Sequence, residues 1–233
     1  MSDGMNKQST EFGDLLSMVM AMVQERIGII IGGTLFFSIA PALCLIPAGI
    51  SIFALGALNA DNFDFLKLIP IMGTVGVCTL AFLASYFALR LGWVAICLKI
   101  TKAQAAPFSE FFSNFDKLAN FLILQFLLTL IISAGMVCLV VPAIFLGIRF
   151  CFAPLLVVDQ NMGPIDALKT SWTMVEGSGM KIFLAGLAYF VINMIVGMIP
   201  LLGIFAQVLA IAFFDLLITS LYRATKGDLI PPG

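Results

Sequence analysis

Three ionisable residues, Arg90, Arg149 and Asp215, stand inside long apolar runs of the sequence. A charge in such a setting is costly to keep, so it marks a binding or transport site unless an opposite charge satisfies it. Two guanidinium groups and one carboxylate suit a fork-shaped Arg–Asp contact. The second arginine is then left to snorkel or to bond backbone carbonyls. In the alternative reading, the surplus positive charge seats an anionic lipid headgroup or a small anion. Arg90 lies nine residues before Lys99, Arg149 ten before Asp159 and Asp215 eight before Arg223. At about 1.5 Å per helical residue, all three sit at one depth, roughly 12–15 Å inside their helix ends.

Other chemistry finds little support. The chain has no histidine, no HExxH, no GxSxG and no Walker glycine loop. Its five cysteines, Cys44, Cys78, Cys97, Cys138 and Cys151, form no CxxC pair and lie in apolar sequence, as small hydrophobes do. Asp159, Asp166 and Glu176 read as ordinary polar residues of helices at the cytoplasmic face. The expectation is therefore a protein that is not an enzyme and holds neither metal nor cofactor.

The elements that would position these charges follow from composition. Of 233 residues, 61% are hydrophobic and 11% charged, against about 45–50% and 25% in soluble domains. Twelve basic residues face 13 acidic ones, which leaves no basic excess for nucleic acid. The apolar runs 27–58, 68–98, 118–158 and 182–221 could hold six helices of about 20 residues each. Stretches such as 121–141 are apolar on every face, which argues against the alternating pattern of a β-barrel. The fold expected is one all-α integral membrane domain over 1–233, with about six transmembrane helices. The first run is too long for a signal-peptide core and reads as the first span.

Charge placement orients it. With both termini in the cytoplasm, that side receives Lys7, Arg26, Lys99, Lys102, Lys117, Lys169, Lys181, Arg223 and Lys226, while the other receives Lys67. This is a strong positive-inside bias, and it predicts a multi-pass membrane protein with both termini cytoplasmic.

Three cytoplasmic segments are amphipathic. Phe108, Phe111, Phe112 and Phe115 recur at i, i+3, i+4 and i+7, predicting a helix over 108–117 that starts behind Pro107. Ile165, Leu168, Trp172 and Val175 share one face of 163–176, which stops at Gly177-Ser-Gly. Residues 9–26 form the third. Helices of this kind suit the headgroup plane, so membrane lipid or a protein partner is expected on their apolar faces, and a homo-oligomer is compatible with them. Each segment opens an apparent repeat of interfacial helix plus helical hairpin. Asp14, Glu110 and Asp166 precede Pro47, Pro142 and Pro200 by 33, 32 and 34 residues. The repeats would be 9–58 (with 68–98 added), 107–158 and 163–222, with the prolines as turns or hinges.

Over residues 135–185 the chain resembles a known bacterial pattern. Pro142-Ala-Ile-Phe-Leu-Gly-Ile-Arg149-Phe is followed by Ala153-Pro-Leu-Leu-Val-Val-Asp159 and by Gly163-Pro-Ile-Asp-Ala-Leu-Lys-Thr-Ser-Trp172. These are similar to YciC-like inner-membrane proteins and to the membrane domain attached to some glycerophosphoryl diester phosphodiesterases. The resemblance implies a six-span domain of the bacterial inner membrane, with Arg149 in the family's Pro-to-Arg motif. It does not imply phosphodiesterase activity. Two functions follow as expectations. The first is a non-enzymatic scaffold or membrane-homeostasis protein engaging lipid or a partner through its cytoplasmic-face helices. The second is a transporter or lipid-handling protein using Arg90, Arg149 and Asp215.

Overall fold

The computed structural model describes residues 12–56, 68–138, 140–197 and 202–227, and among them the chain is all-helical. The first stretch holds α1 (Phe12–Glu25), α2 (Ile27–Leu43) and α3 (Ile46–Gly56). The long α4 (Leu68–Thr101) is followed by two short 3-10 turns, Phe108–Phe112 and Phe115–Lys117. Then come α5 (Leu118–Cys138), α6 (Val140–Arg149), α7 (Ala153–Gln160), α8 (Pro164–Met174), α9 (Gly179–Val196) and α10 (Leu202–Lys226).

Among the described residues, four segments are long and apolar enough to cross a membrane: Ile27–Phe53, Ile69–Thr101, Phe108–Val137 and Val140–Gln160. A fifth joins them if α8 and α9, bent by 99°, are taken as one broken span. The bend has a local cause. Gly177 between the two helices takes φ +88°, a left-handed conformation that other residues adopt at a cost.

The packed core sits at one end of the molecule. In α4, Leu91, Trp93–Leu98 and Ile100 are buried on every side, as expected of a helix enclosed by others. Leu155–Val158 of α7 and Leu216–Tyr222 of α10 close around it. The earlier turns of α4 expose Ile69, Met72, Val77 and Leu80 instead. In α1, Leu15, Val19, Met22 and Val23 face inward while Leu16 and Met20 remain exposed, so that helix is amphipathic as expected and packs on protein.

The prolines divide. Pro142 lies in the first turn of α6, just after the break that follows Cys138, and Gly135 of α5 lies close against Ala143, so the chain does fold back there. Pro47 behaves otherwise. It lies in the first turn of α3, and α2 and α3 run on as a single candidate span past a break at Cys44–Leu45. A proline in a first turn loses no helical hydrogen bond and so need not reverse the chain. Pro200 lies outside the described residues.

The helix expected over 108–117 is replaced by the two 3-10 turns. Phe111 is 2% exposed and points inward, because Gly92 of α4 lets the turn's backbone lie directly on the helix. A Cβ at position 92 would stand 2.5 Å from both Cα and O of Phe111. The i, i+3, i+4, i+7 spacing fitted an α-helix, but tertiary contact at one glycine decided the backbone.

Candidate functional site

The three charges within the apolar runs do not form one cluster. Arg90 and Asp215 meet across α4 and α10 in a bidentate pair, Nη1 to Oδ2 at 2.6 Å and Nη2 to Oδ1 at 3.0 Å. One turn along α4, the indole Nε1 of Trp93 donates to the same Oδ2 at 2.8 Å. The Arg90 guanidinium also lies 5.8 Å from the ring of Phe37 on α2, so three helices converge on this point. Trp93 fits because Gly33 of α2 carries no Cβ, which would stand 2.8 Å from the indole. With both oxygens engaged in charge-assisted bonds, Asp215 is held by strong, directional contacts.

Arg149 stands apart from that pair. At the end of α6, its guanidinium lies 4.8 Å from the ring of Trp172 and 5.3 Å from that of Phe145. Nη1 donates to the Trp172 carbonyl at 3.1 Å, and Ser171 Oγ returns a hydrogen bond to the Arg149 carbonyl at 2.9 Å. Its nearest acid is Glu176, 3.7 Å away, with a side chain 66% exposed. At that distance and exposure the attraction is weak. The second arginine thus bonds a backbone carbonyl, one of the two arrangements the sequence left open.

Arg149 also lines a cavity of about 460 Å³ between α6 and the start of α9. Its other walls include Phe145, Ile148, Met180 and Phe183, with Gly177 and Gly179 keeping one side open. A larger groove of about 630 Å³ runs between α1, α9 and α10, lined by Leu16, Met20, Tyr189, Phe213 and other uncharged residues. It is distant in character from the charged candidates and carries no chemistry.

A third polar centre was missed by sequence reasoning. Asp159, 6% exposed at its side chain, ends α7 and accepts from Lys102 Nζ at 2.6 Å, Lys226 Nζ at 3.0 Å and Tyr222 Oη at 3.0 Å. Around it, Lys99 pairs with Glu110 at 2.6 Å, and Lys117 Nζ donates to the Val158 carbonyl at 2.7 Å. Arg223 reaches the Thr101 carbonyl, and Arg26 the Gln104 carbonyl. These basic residues are therefore the ties that close the helix ends. The signal was available: Asp159 ends an apolar run at the level of Lys102 and Lys226.

The remaining candidates separate by exposure. Phe108, Phe112 and Phe115 are 49, 53 and 49% exposed, while Phe111 packs between Phe36 and Trp93, with ring centroids 5.4 and 6.4 Å away. On α8, Ile165 is exposed, Leu168 buried and Trp172 half-buried against Arg149. Among the described residues, no group of histidine, cysteine or acidic side chains could hold a metal ion. Cys44, Cys78, Cys97 and Cys151 are free thiols.

Residues 106–225, just over half of the chain, match a family described as a domain of unknown function (DUF7847). The likeness of residues 135–185 to YciC-like proteins is not shown by that match. No curated protein and no solved structure matches the chain.

Proposed function

The chain belongs to the DUF7847 family, and on that premise we propose a non-enzymatic membrane protein that engages lipid through an aromatic ledge at the charged end of its helices. The observation that carries this reading is the split among four phenylalanines. Phe111 anchors the ledge in the notch at Gly92, and Phe108, Phe112 and Phe115 project from it. Exposed aromatic residues beside the Lys99–Glu110 pair and Lys117 match the depth where apolar rings and charges share the headgroup layer.

The membrane topology belongs to the same proposal. In it, α9 and α10 add a hairpin to the four candidate spans, giving six, with both termini in the cytoplasm of a bacterial cell. The extensive packing of α5 on α6 and of α9 on α10 supports two hairpins of a repeated unit. A protein partner in place of lipid on the ledge is the competing occupant. The transporter reading is less well supported, since Asp215 spends both oxygens on Arg90 and Trp93.

Photo-crosslinking tests the ledge. A benzophenone amino acid placed at Phe112 in the full chain, irradiated in native membranes, should give phospholipid adducts by mass spectrometry. The same probe at the exposed Asn161, in the loop between α7 and α8, should give fewer. Equal adducts at both positions, or adducts to one protein alone, would count against lipid as the occupant.

A further inference from the structure

We propose that the cavity at Arg149 is a seat for the phosphate of an anionic phospholipid, whose acyl chain lies along Phe145 and Phe183. The proposal rests on the membrane reading above and deepens it by naming a ligand and a residue. Arg149 is held in place before any ligand arrives: the rings of Phe145 and Trp172, themselves 5.9 Å apart, lie against its guanidinium from one side, and Nη1 is fixed on the Trp172 carbonyl. Among the described residues, its Nη2 and Nε have no hydrogen-bonded acceptor. This leaves one edge of a planar guanidinium for a phosphate, the geometry in which arginine binds that group best.

The cavity walls complete the match. Phe145 lies one turn before Arg149 on α6, and Phe183 one turn into α9 after Gly179, both partly exposed on apolar helix surface. A ligand with its anion on Arg149 therefore also meets apolar surface at Phe145, Met180 and Phe183, as a phospholipid requires. The charged residues lining the cavity are Arg149 and the exposed Glu176, and Lys181 follows the lining Met180 in the first turn of α9. Glu176 competes for the guanidinium from 3.7 Å, and its exposure lets it swing away when phosphate arrives.

Native mass spectrometry of the full chain in mild detergent tests this, with phosphatidylglycerol or phosphatidylcholine added in turn. The wild-type chain should retain phosphatidylglycerol preferentially. Arg149→Gln should weaken that retention about tenfold, the loss expected for one charge-assisted contact, and Arg149→Lys should restore part of it. Glu176→Gln, on an exposed residue that leaves the fold alone, should strengthen it. Retention unchanged in both Arg149→Gln and Glu176→Gln would overturn the proposal. So would displacement of phosphatidylglycerol by millimolar inorganic phosphate, which would make the site one for a small anion. Loss of the Arg149 dependence with Phe112 adducts intact removes this seat and leaves the ledge standing. Arg149-dependent retention without Phe112 adducts does the reverse.

Discussion

Arg90 and Arg149 are the same residue in similar apolar sequence, and the fold treats them in opposite ways. Arg90 spends both Nη atoms on one carboxylate, which Trp93 also grips, and the result ties α2, α4 and α10 together. Arg149 spends one Nη on a carbonyl and lies against two rings, with a weakly held acid nearby. The first arrangement is saturated and serves cohesion. The second leaves donor capacity over and opens on a cavity. An arginine in an apolar run is thus no site by itself; what matters is how many of its donors the fold consumes.

Breaking the saturated side should produce the largest effect. Asp215→Ala strands Arg90 and removes the acceptor of Trp93, so it should cost about 3–5 kcal/mol of stability, read as a lowered thermal midpoint in detergent. Replacing both partners, Arg90→Met with Asp215→Leu, should recover much of that loss, because an apolar pair leaves no uncompensated charge. If the double variant is no more stable than Asp215→Ala, the pair has a role beyond cohesion. Trp93→Phe deletes a hydrogen bond to a charged acceptor and should cost about 1.5–3 kcal/mol.

The Arg149 side should respond far less in stability. Arg149→Gln loses cation–π contacts at a part-exposed position and should cost about 1 kcal/mol or less, while its lipid retention falls. A midpoint drop as large as that of Asp215→Ala would erase the contrast between the two arginines. Glu176→Gln should be the mildest change, within about 0.5 kcal/mol, as differential scanning fluorimetry can check.

Several parts of this fold are written in the local sequence. Helix content follows from apolar runs far longer than strands need, and α1 and α8 follow from amphipathic periods that the structure keeps. The 108–117 segment shows where such reading stops. Four phenylalanines at helical spacing are equally consistent with two tight turns, and the choice rested on Gly92, a residue on another helix. Pro47 and Pro142 look alike in sequence, with Cys-Leu before each, yet one continues a span and the other opens a hairpin. Asp159 reads in sequence as an ordinary polar helix residue, because its partners, Lys102 just past α4 and Tyr222 and Lys226 of α10, are distant along the chain.

The sequence by itself determined which residues are apolar, where charges interrupt them, and that those charges must find partners or ligands. Burial and helical period are local properties, and the order of residues carries them directly. Only the tertiary structure decided which arginine meets the acid. Positions 90 and 215 are 125 residues apart, and no local pattern distinguishes that pairing from one between 149 and 215. The packing of α4 against α10 brings one guanidinium within reach of the carboxylate and turns the other toward Trp172. Directional bonds between distant residues exist only once the helices are packed.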